Sequence, residues 1–170
     1  MNKLFVATAL AFSSSVAFAQ TCASPQAVVT EAPYSATGNT CTASQEFSQI
    51  CSGGIGVLGR SHVYQVEVGA TNTFTITVTP SGGYDTTIAL IGPGSCGPAA
   101  PCPGGAANAV DNAGPDAAEV IDLPDNIPAG THYLVVTSTT GGSAAAPDCG
   151  AYSVAISPTL PVELQSFSID

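Results

Sequence analysis

Side chains that could hold a metal ion through oxygen lie in two short stretches of the chain. Asp85 follows the Gly82-Gly83 pair, and Asp111, Asn112 and Asp116 lie in a Gly-rich segment. Calcium prefers about six to eight oxygen ligands, including carboxylates and the backbone carbonyls that such a loop can supply. The four residues are therefore predicted calcium ligands. The register of the EF-hand loop is absent, so two alternatives stay open: Asp85 caps its own turn, and Glu119 joins the others in a solvated acidic loop.

Six cysteines form the second group of reactive side chains. An even number of cysteines in an exported chain predicts disulfides, here three. The pairs expected from the sequence are Cys96–Cys102, which flank a short Pro/Gly-rich loop, then Cys41–Cys51, and by elimination Cys22–Cys149. The alternative is a zinc site, but no C-x₂-C pair occurs and only His62 and His132 could assist.

Catalytic residue patterns are not apparent in the sequence. Both histidines are expected at exposed strand positions, no G-x-S-x-G elbow occurs, and no pair of carboxylates stands out as in a glycosidase. The chain is therefore predicted not to be an enzyme, with no catalytic residue assigned. Sugar binding would need aromatic platforms; Trp is absent, and the plausible tyrosines are Tyr34, Tyr84 and Tyr133, the last expected in the core.

The N-terminus predicts export. Lys3 precedes an apolar stretch that ends in Ala17-Phe18-Ala19, the pattern of a cleaved secretory signal. The stretch is interrupted by serines and is too short for a membrane span of about 20 residues. Residues 1–19 are therefore interpreted as a signal peptide, and the mature protein is expected to be secreted, with the periplasm, the cell surface and the extracellular space left open.

Charge limits the partners of the mature protein. The chain has twelve Asp and Glu residues but only two Lys and Arg residues, and one of these two, Lys3, is removed with the predicted signal peptide. Phosphate backbones and anionic lipids attract cations, so neither nucleic acid binding nor membrane insertion is expected. A surface polysaccharide or a protein remains a candidate partner. Self-association is another, because the lysines that usually protect sheet edges are missing.

Short alternating segments predict the fold. Strands are expected at residues 62–68, 72–79, 86–91, 118–123, 131–138 and 151–156, separated by Gly/Pro turns. Phe74, Ile76 and Val78 form one inward row, and Tyr152, Val154 and Ile156 form another. This pattern favours an all-β, antiparallel sandwich. The predicted organisation is a signal peptide (1–19), a cysteine-rich segment packed on the sandwich (20–60), the sandwich itself (61–157) and an extended tail (158–170).

The order of motifs from residue 62 to 156 resembles the bacterial pre-peptidase C-terminal domain family. The motifs are Val63-Tyr64-Gln65-Val66, Gly83-Tyr84-Asp85, Asp111-Asn112-Ala113-Gly114, Pro128-Ala129-Gly130-Thr131 and Gly150-Ala151-Tyr152. The resemblance implies a jelly-roll-like sandwich that serves as an accessory module of exported proteins, and it implies calcium binding in some relatives. The Asp111-Asn112 pair stands where the family often shows two aspartates, which weakens the calcium assignment.

Three hypotheses about function follow. The favoured one is an exported, non-catalytic module that binds a partner at the cell surface or in the periplasm and is stabilised by calcium. The second is a structural or self-assembling protein of the envelope or extracellular space. A hydrolase is the least favoured of the three.

Overall fold

The computed structural model describes residues 21–69, 73–104, 108–111, 113–123, 127–140 and 148–158. The predicted signal peptide, the candidate ligand Asn112 and the tail beyond residue 158 lie outside these ranges. The strands of the described part are, in chain order, β1 (Val28–Val29), β2 (Tyr34–Asn39), β3 (Gln49–Ile50), β4 (Ile55–Gly56), β5 (His62–Val68), β6 (Phe74–Ser81), β7 (Thr87–Ile91), β8 (Ala109–Val110), β9 (Glu119–Leu123), β10 (Gly130–Thr137) and β11 (Ala151–Pro158).

Two sheets form the sandwich. A five-stranded sheet has the order β1-β5-β10-β7-β8, and a four-stranded sheet has the order β2-β11-β6-β9. All neighbours within them are antiparallel except β1, which runs parallel to β5. The prediction of an all-β sandwich is confirmed.

The core between the two sheets is built from alternate residues. Both predicted inward rows, Phe74/Ile76/Val78 and Tyr152/Val154/Ile156, are buried there. They meet side chains of the five-stranded sheet such as Tyr64, Leu90 and Leu134. Successive strand residues point to opposite faces, so burial of one row leaves the intervening threonines and serines of β6 and β11 on the outer face.

The outer face of the five-stranded sheet is also covered. Phe47, Ile50 and Val57, from the segment before β5, pack in a second apolar cluster with Val63 and Val135 of that sheet. This explains why every residue of β7 is buried, as the continuous apolar run at residues 86–91 predicts. The later part of the cysteine-rich segment, residues 47–57, therefore forms a third layer over the sheet, whereas β1 and β2 of the same segment belong to the two sheets of the sandwich.

Three disulfides cross-link the fold. The pairs are Cys22–Cys96, Cys41–Cys149 and Cys51–Cys102, and no described cysteine is free. The prediction that all six are paired is confirmed, but all three expected pairings are wrong. Two of the bonds join the cysteine-rich segment to the loop after β7, because both lie on the same face of the five-stranded sheet. Nearness in sequence, which favoured Cys96–Cys102, says nothing about this packing.

Within the part of the chain that the structure covers, no helix has the length and apolarity needed to cross a bilayer.

Candidate functional site

The predicted acidic ligands lie at one end of the sandwich, where the turn after β6 meets the loop between β8 and β9. Gly82 and Gly83 both have positive φ and turn the chain out of β6. Asp116, also at positive φ, accepts a hydrogen bond from the Gly83 amide at 2.8 Å and donates its own amide to the Tyr84 carbonyl at 3.0 Å. Asp116 therefore ties the two loops together through the backbone.

Asp85 is the most unusual residue of this end. Its side chain is half-buried, and its Oδ1 atom is buried without a hydrogen-bond partner in the described structure. Burial, and secondly the negative charge of Asp111, raise the pKa of Asp85 above its ordinary value. A carboxylate oxygen in this position lacks the compensation that buried charge normally receives.

Asp111 is exposed and joined to the end of β10. Its Oδ2 atom accepts a hydrogen bond from the Thr139 hydroxyl at 2.8 Å, and the Thr139 amide donates to the hydroxyl of Thr87 at 3.1 Å. Next to Thr87, the Thr86 hydroxyl oxygen is buried with no partner among the described residues. This end of the sandwich thus holds two buried oxygens, from Asp85 and Thr86, that have no hydrogen-bond partner among the described residues.

The structure brings together only part of the predicted ligand set. Asp85 and Asp111 interact through their charges, whereas the Asp116 carboxylate is already bonded to the backbone at Gly83. Glu119, the other acidic residue of this region, is buried and accepts from the Ala113 amide at 2.8 Å. In the described ranges no three His, Cys, Asp or Glu side chains lie close enough together to form a metal centre.

The ligand atoms available at this end of the sandwich are oxygens, the kind that calcium prefers. Two carboxylates, Asp85 and Asp111, suit calcium, and the unpartnered Asp85 oxygen fits a cation. The remaining ligands of such an ion would have to come from backbone carbonyls and water, as is common for exposed calcium sites. Asp85 and Asp111 are therefore the two residues of the predicted set whose oxygens are candidates for a cation, and Asp116 shapes the loop.

Both histidines lie inside the protein, which corrects the expectation that they are exposed. His62 and His132 have exposed fractions of 1% and 0%. The Nδ1 atom of His62 is 2.6 Å from the Tyr152 hydroxyl, and His132 Nδ1 is 3.0 Å from the Gly130 carbonyl oxygen. No hydrogen bond in the described structure joins either ring to a serine or a carboxylate.

His62 belongs to a buried polar cluster that the sequence analysis missed. The Tyr152 hydroxyl also lies 2.8 Å from the Tyr64 hydroxyl, and burial lowers the pKa of His62 to about 4. Strand alternation offered a signal, because His62 has the same parity as Tyr64 and Val66, which face the core. The cluster stabilises the interface between the sheets and leaves no group open to a substrate.

The tyrosines do not form a sugar platform. Tyr84 is buried and donates a hydrogen bond to the Thr137 carbonyl at 2.9 Å. Tyr34 packs edge-on against Tyr64 with ring centroids 6.4 Å apart. Tyr133 is half-buried against the second apolar cluster. Since each ring packs against the protein itself, stacking on carbohydrate receives no support from these residues.

Comparison with known proteins gives structural neighbours only. No family model and no curated protein matches the chain. Two similar solved structures are PliG of Aeromonas hydrophila, a periplasmic inhibitor of g-type lysozyme (18% identity, 78% of this chain and 96% of that one, TM-score 0.41), and the pre-peptidase C-terminal domain of a collagenase from Bacillus anthracis (17% identity, 78% and 95%, TM-score 0.40). The second is a domain of the family that the sequence motifs resemble.

Proposed function

We propose that this protein is an exported, non-catalytic β-sandwich module that binds a surface polysaccharide or a protein through its acidic loop end, with calcium held by Asp85 and Asp111. The loop end consists of residues 83–87, residues 113–117, Asp111 and Thr139. Its acidic side chains suit a bridging cation, and the rest of the sandwich supports it as a rigid frame.

The buried, unpartnered Oδ1 atom of Asp85 beside the like charge of Asp111 is the observation that carries this proposal. Such a pair is unfavourable by itself, because two carboxylates repel each other and one has lost its hydration. A divalent cation between them removes both costs. The exported location is supported by the three disulfides, which are typical of proteins that fold outside the cytoplasm.

Thermal unfolding of the mature protein over a calcium series tests the metal site. A ligand that binds only the native state stabilises it by about 2.7 kcal/mol at 100 times its dissociation constant, so the melting temperature should rise steadily with calcium. Magnesium should act more weakly, because it keeps its water and demands octahedral geometry.

Asp85→Asn and Asp111→Asn should abolish that rise. The matched control is Asp122→Asn, since Asp122 is an exposed carboxylate on β9 bonded only to the Thr75 hydroxyl in the described structure; it should keep the full response. A melting temperature unchanged by calcium in the parent protein would remove the metal from the proposal, and an equal loss in all three variants would remove the assignment to Asp85 and Asp111.

The binding role is tested separately. The mature protein should be retained by isolated cell-wall polysaccharide or by envelope proteins in calcium, and chelation should release it. Retention that is unaffected by Asp85→Asn would place the contact away from the loop end.

A structural or self-assembling role is the second candidate, and the four-stranded sheet favours it. Its outer face carries Ser35, Thr37, Thr77, Thr79 and Ser153 in cross-strand rows, with no Lys or Arg. Asp122 on β9, at the edge opposite β2, is the carboxylate of this face, so a second copy can approach the part around β2, β11 and β6 with little repulsion.

A further inference from the structure

We infer that two copies of this chain pair through strand β2, so that the four-stranded sheets join into one continuous eight-stranded sheet. β2 (Tyr34–Asn39) is the edge of its sheet, with β11 on one side only. Outside that ladder, the backbone-to-backbone hydrogen bonds found in the described structure include none from Tyr34 to Asn39; at the end of the strand the Asn39 carbonyl accepts from the Thr42 hydroxyl at 2.9 Å. An edge of this kind exposes a row of unpaired amide and carbonyl groups that can accept another strand.

The residues of β2 itself do not block such pairing. β2 has no charged residue and no proline within its six residues, and Ser35, Thr37 and Asn39 are exposed. This contrasts with a chain of net charge −10. Since copies of an acidic protein repel one another, a neutral strand at a sheet edge is a place where they can approach closely.

The strand is also compatible with pairing to itself. In an antiparallel pair, residues that lie opposite each other point to the same face of the sheet. A two-fold axis that relates two copies of β2 must therefore pass through a residue position, and the central ones are Ala36 and Thr37. With the axis at Ala36, Ser35 lies opposite Thr37 of the second copy, and small hydroxyl side chains meet. The row Thr37–Ser153–Thr79, which crosses the sheet in register, then continues into the second molecule.

Charge at the two ends of β2 selects a second copy over a foreign strand. Exposed Glu31 lies three residues before the strand begins. Arg60, the one Lys or Arg left after removal of the predicted signal, donates from Nη1 to the Cys41 carbonyl at 2.8 Å, two residues after the strand ends. Antiparallel pairing places the start of one β2 beside the end of the other, which brings Glu31 of each copy to the Arg60 end of its neighbour.

The proposed contact between the two β2 strands is short, so we expect the dimer to be weak. Six residues in extended conformation span about 20 Å, which is a small interface of the kind found in transient complexes. We expect monomer and dimer to exchange, with the dimer gaining population as protein concentration rises into the range of hundreds of micromolar or more.

Sedimentation velocity of the oxidised mature protein over a concentration series tests the pairing, together with hydrogen exchange of the β2 amides. The parent protein should form dimers, and alternate amides between Tyr34 and Asn39 should exchange more slowly as dimer forms. Ser35→Lys combined with Thr37→Lys places lysines opposite each other in either register and should weaken association by on the order of tenfold or more.

The matched control is Thr77→Lys combined with Thr79→Lys. These residues lie in the same two rows of the same face, two strands away from the edge, and this variant should dimerise like the parent. Arg60→Glu alone should weaken the dimer, and adding Glu31→Arg should restore it.

Three results would overturn the inference. They are a parent protein that stays monomeric at every concentration, a control pair as disruptive as the edge pair, and β2 amides that become protected only when another protein is added. The last would assign the edge to a foreign strand. None of these depends on calcium, so failure here is distinguishable from failure of the proposed calcium site.

Discussion

His62 shows how strongly burial changes a single side chain. It opens β5 and lies between the sheets, with Tyr152 as its hydrogen-bond partner and its Nε2 atom unpartnered in the described structure. Desolvation disfavours the charged ring, which is why its pKa falls from 6.5 to about 4.

The lowered pKa of His62 predicts a loss of stability in mild acid. Between pH 6.5 and about 4 the unfolded chain binds a proton on His62 and the folded chain does not. The free energy of unfolding therefore decreases as the pH is lowered through this window, and the contribution of His62 is fully present above pH 6.5. We expect His62 to contribute on the order of 2 kcal/mol to this loss. We expect the free energy of unfolding in urea to differ less between pH 7 and pH 4.5 in His62→Gln than in the parent, because the titrating carboxylates are the same in both proteins. A His62 ring that titrates near pH 6.5 by NMR would contradict the burial argument.

Burial shifts the pKa of Asp85 upward, in the opposite direction to that of His62. A folded-state pKa raised above the unfolded value means that the charged carboxylate opposes folding, so the protein gains stability as pH falls through the raised pKa. Asp85→Asn should therefore raise the urea midpoint at pH 7 in the presence of a chelator, and it should abolish the gain from calcium. A lower midpoint in chelator would show that the charge is already compensated by other groups.

Close packing between elements explains why one glycine stands directly before β11. The Gly150 amide donates to the Thr40 hydroxyl at 3.0 Å, and its carbonyl accepts from the Thr40 amide at 3.0 Å. A Cβ atom at Gly150 would overlap the Tyr84 side chain, with Cγ at 2.6 Å. The glycine allows β11 to start against the buried turn that carries Asp85.

Gly150→Ala should therefore destabilise the protein by about 1–3 kcal/mol, the usual cost of overpacking. Gly114→Ala is the matched control, because nothing lies within 4 Å of a Cβ atom there. Equal midpoints of the two variants in chemical denaturation would mean that Tyr84 moves aside without cost.

Strand positions could be read from the sequence far better than contacts between loops. The alternation in residues 74–78 and 152–156 predicts their inward rows because strand geometry is local. Asp85 and Asp111, by contrast, approach each other only because β7 pairs with β8 and both loops leave the sandwich at the same end. That approach depends on non-local pairing, which no spacing in the sequence encodes. The burial of His62, by contrast, could have been predicted from local alternation, because His62 has the same parity as Tyr64 and Val66.

For the molecule as a whole, two disulfides connect layers that hydrogen bonding does not join into one sheet, and the third links neighbouring strands of one sheet. Cys22–Cys96 and Cys51–Cys102 hold the cysteine-rich layer against the five-stranded sheet, and Cys41–Cys149 joins the end of β2 to the start of β11. The sequence separations are 74 residues for Cys22–Cys96, 51 for Cys51–Cys102 and 108 for Cys41–Cys149, so each bond closes a long loop of the unfolded chain.

Mass mapping of the unreduced mature protein should recover these three pairs and no free thiol. Replacing Cys51 and Cys102 together by serine should cost about 2–5 kcal/mol, the typical loss for a native disulfide in a small secreted domain. Peptides linked by Cys96–Cys102 or Cys41–Cys51 would contradict the packing of the third layer.

Isothermal titration of calcium into chelator-treated mature protein tests most directly whether the loop end is a cation-dependent binding site. We expect saturable binding of one ion per chain, lost in Asp85→Asn and Asp111→Asn and kept in Asp122→Asn. Absence of binding in the parent protein, or binding that survives both loop variants, would contradict it.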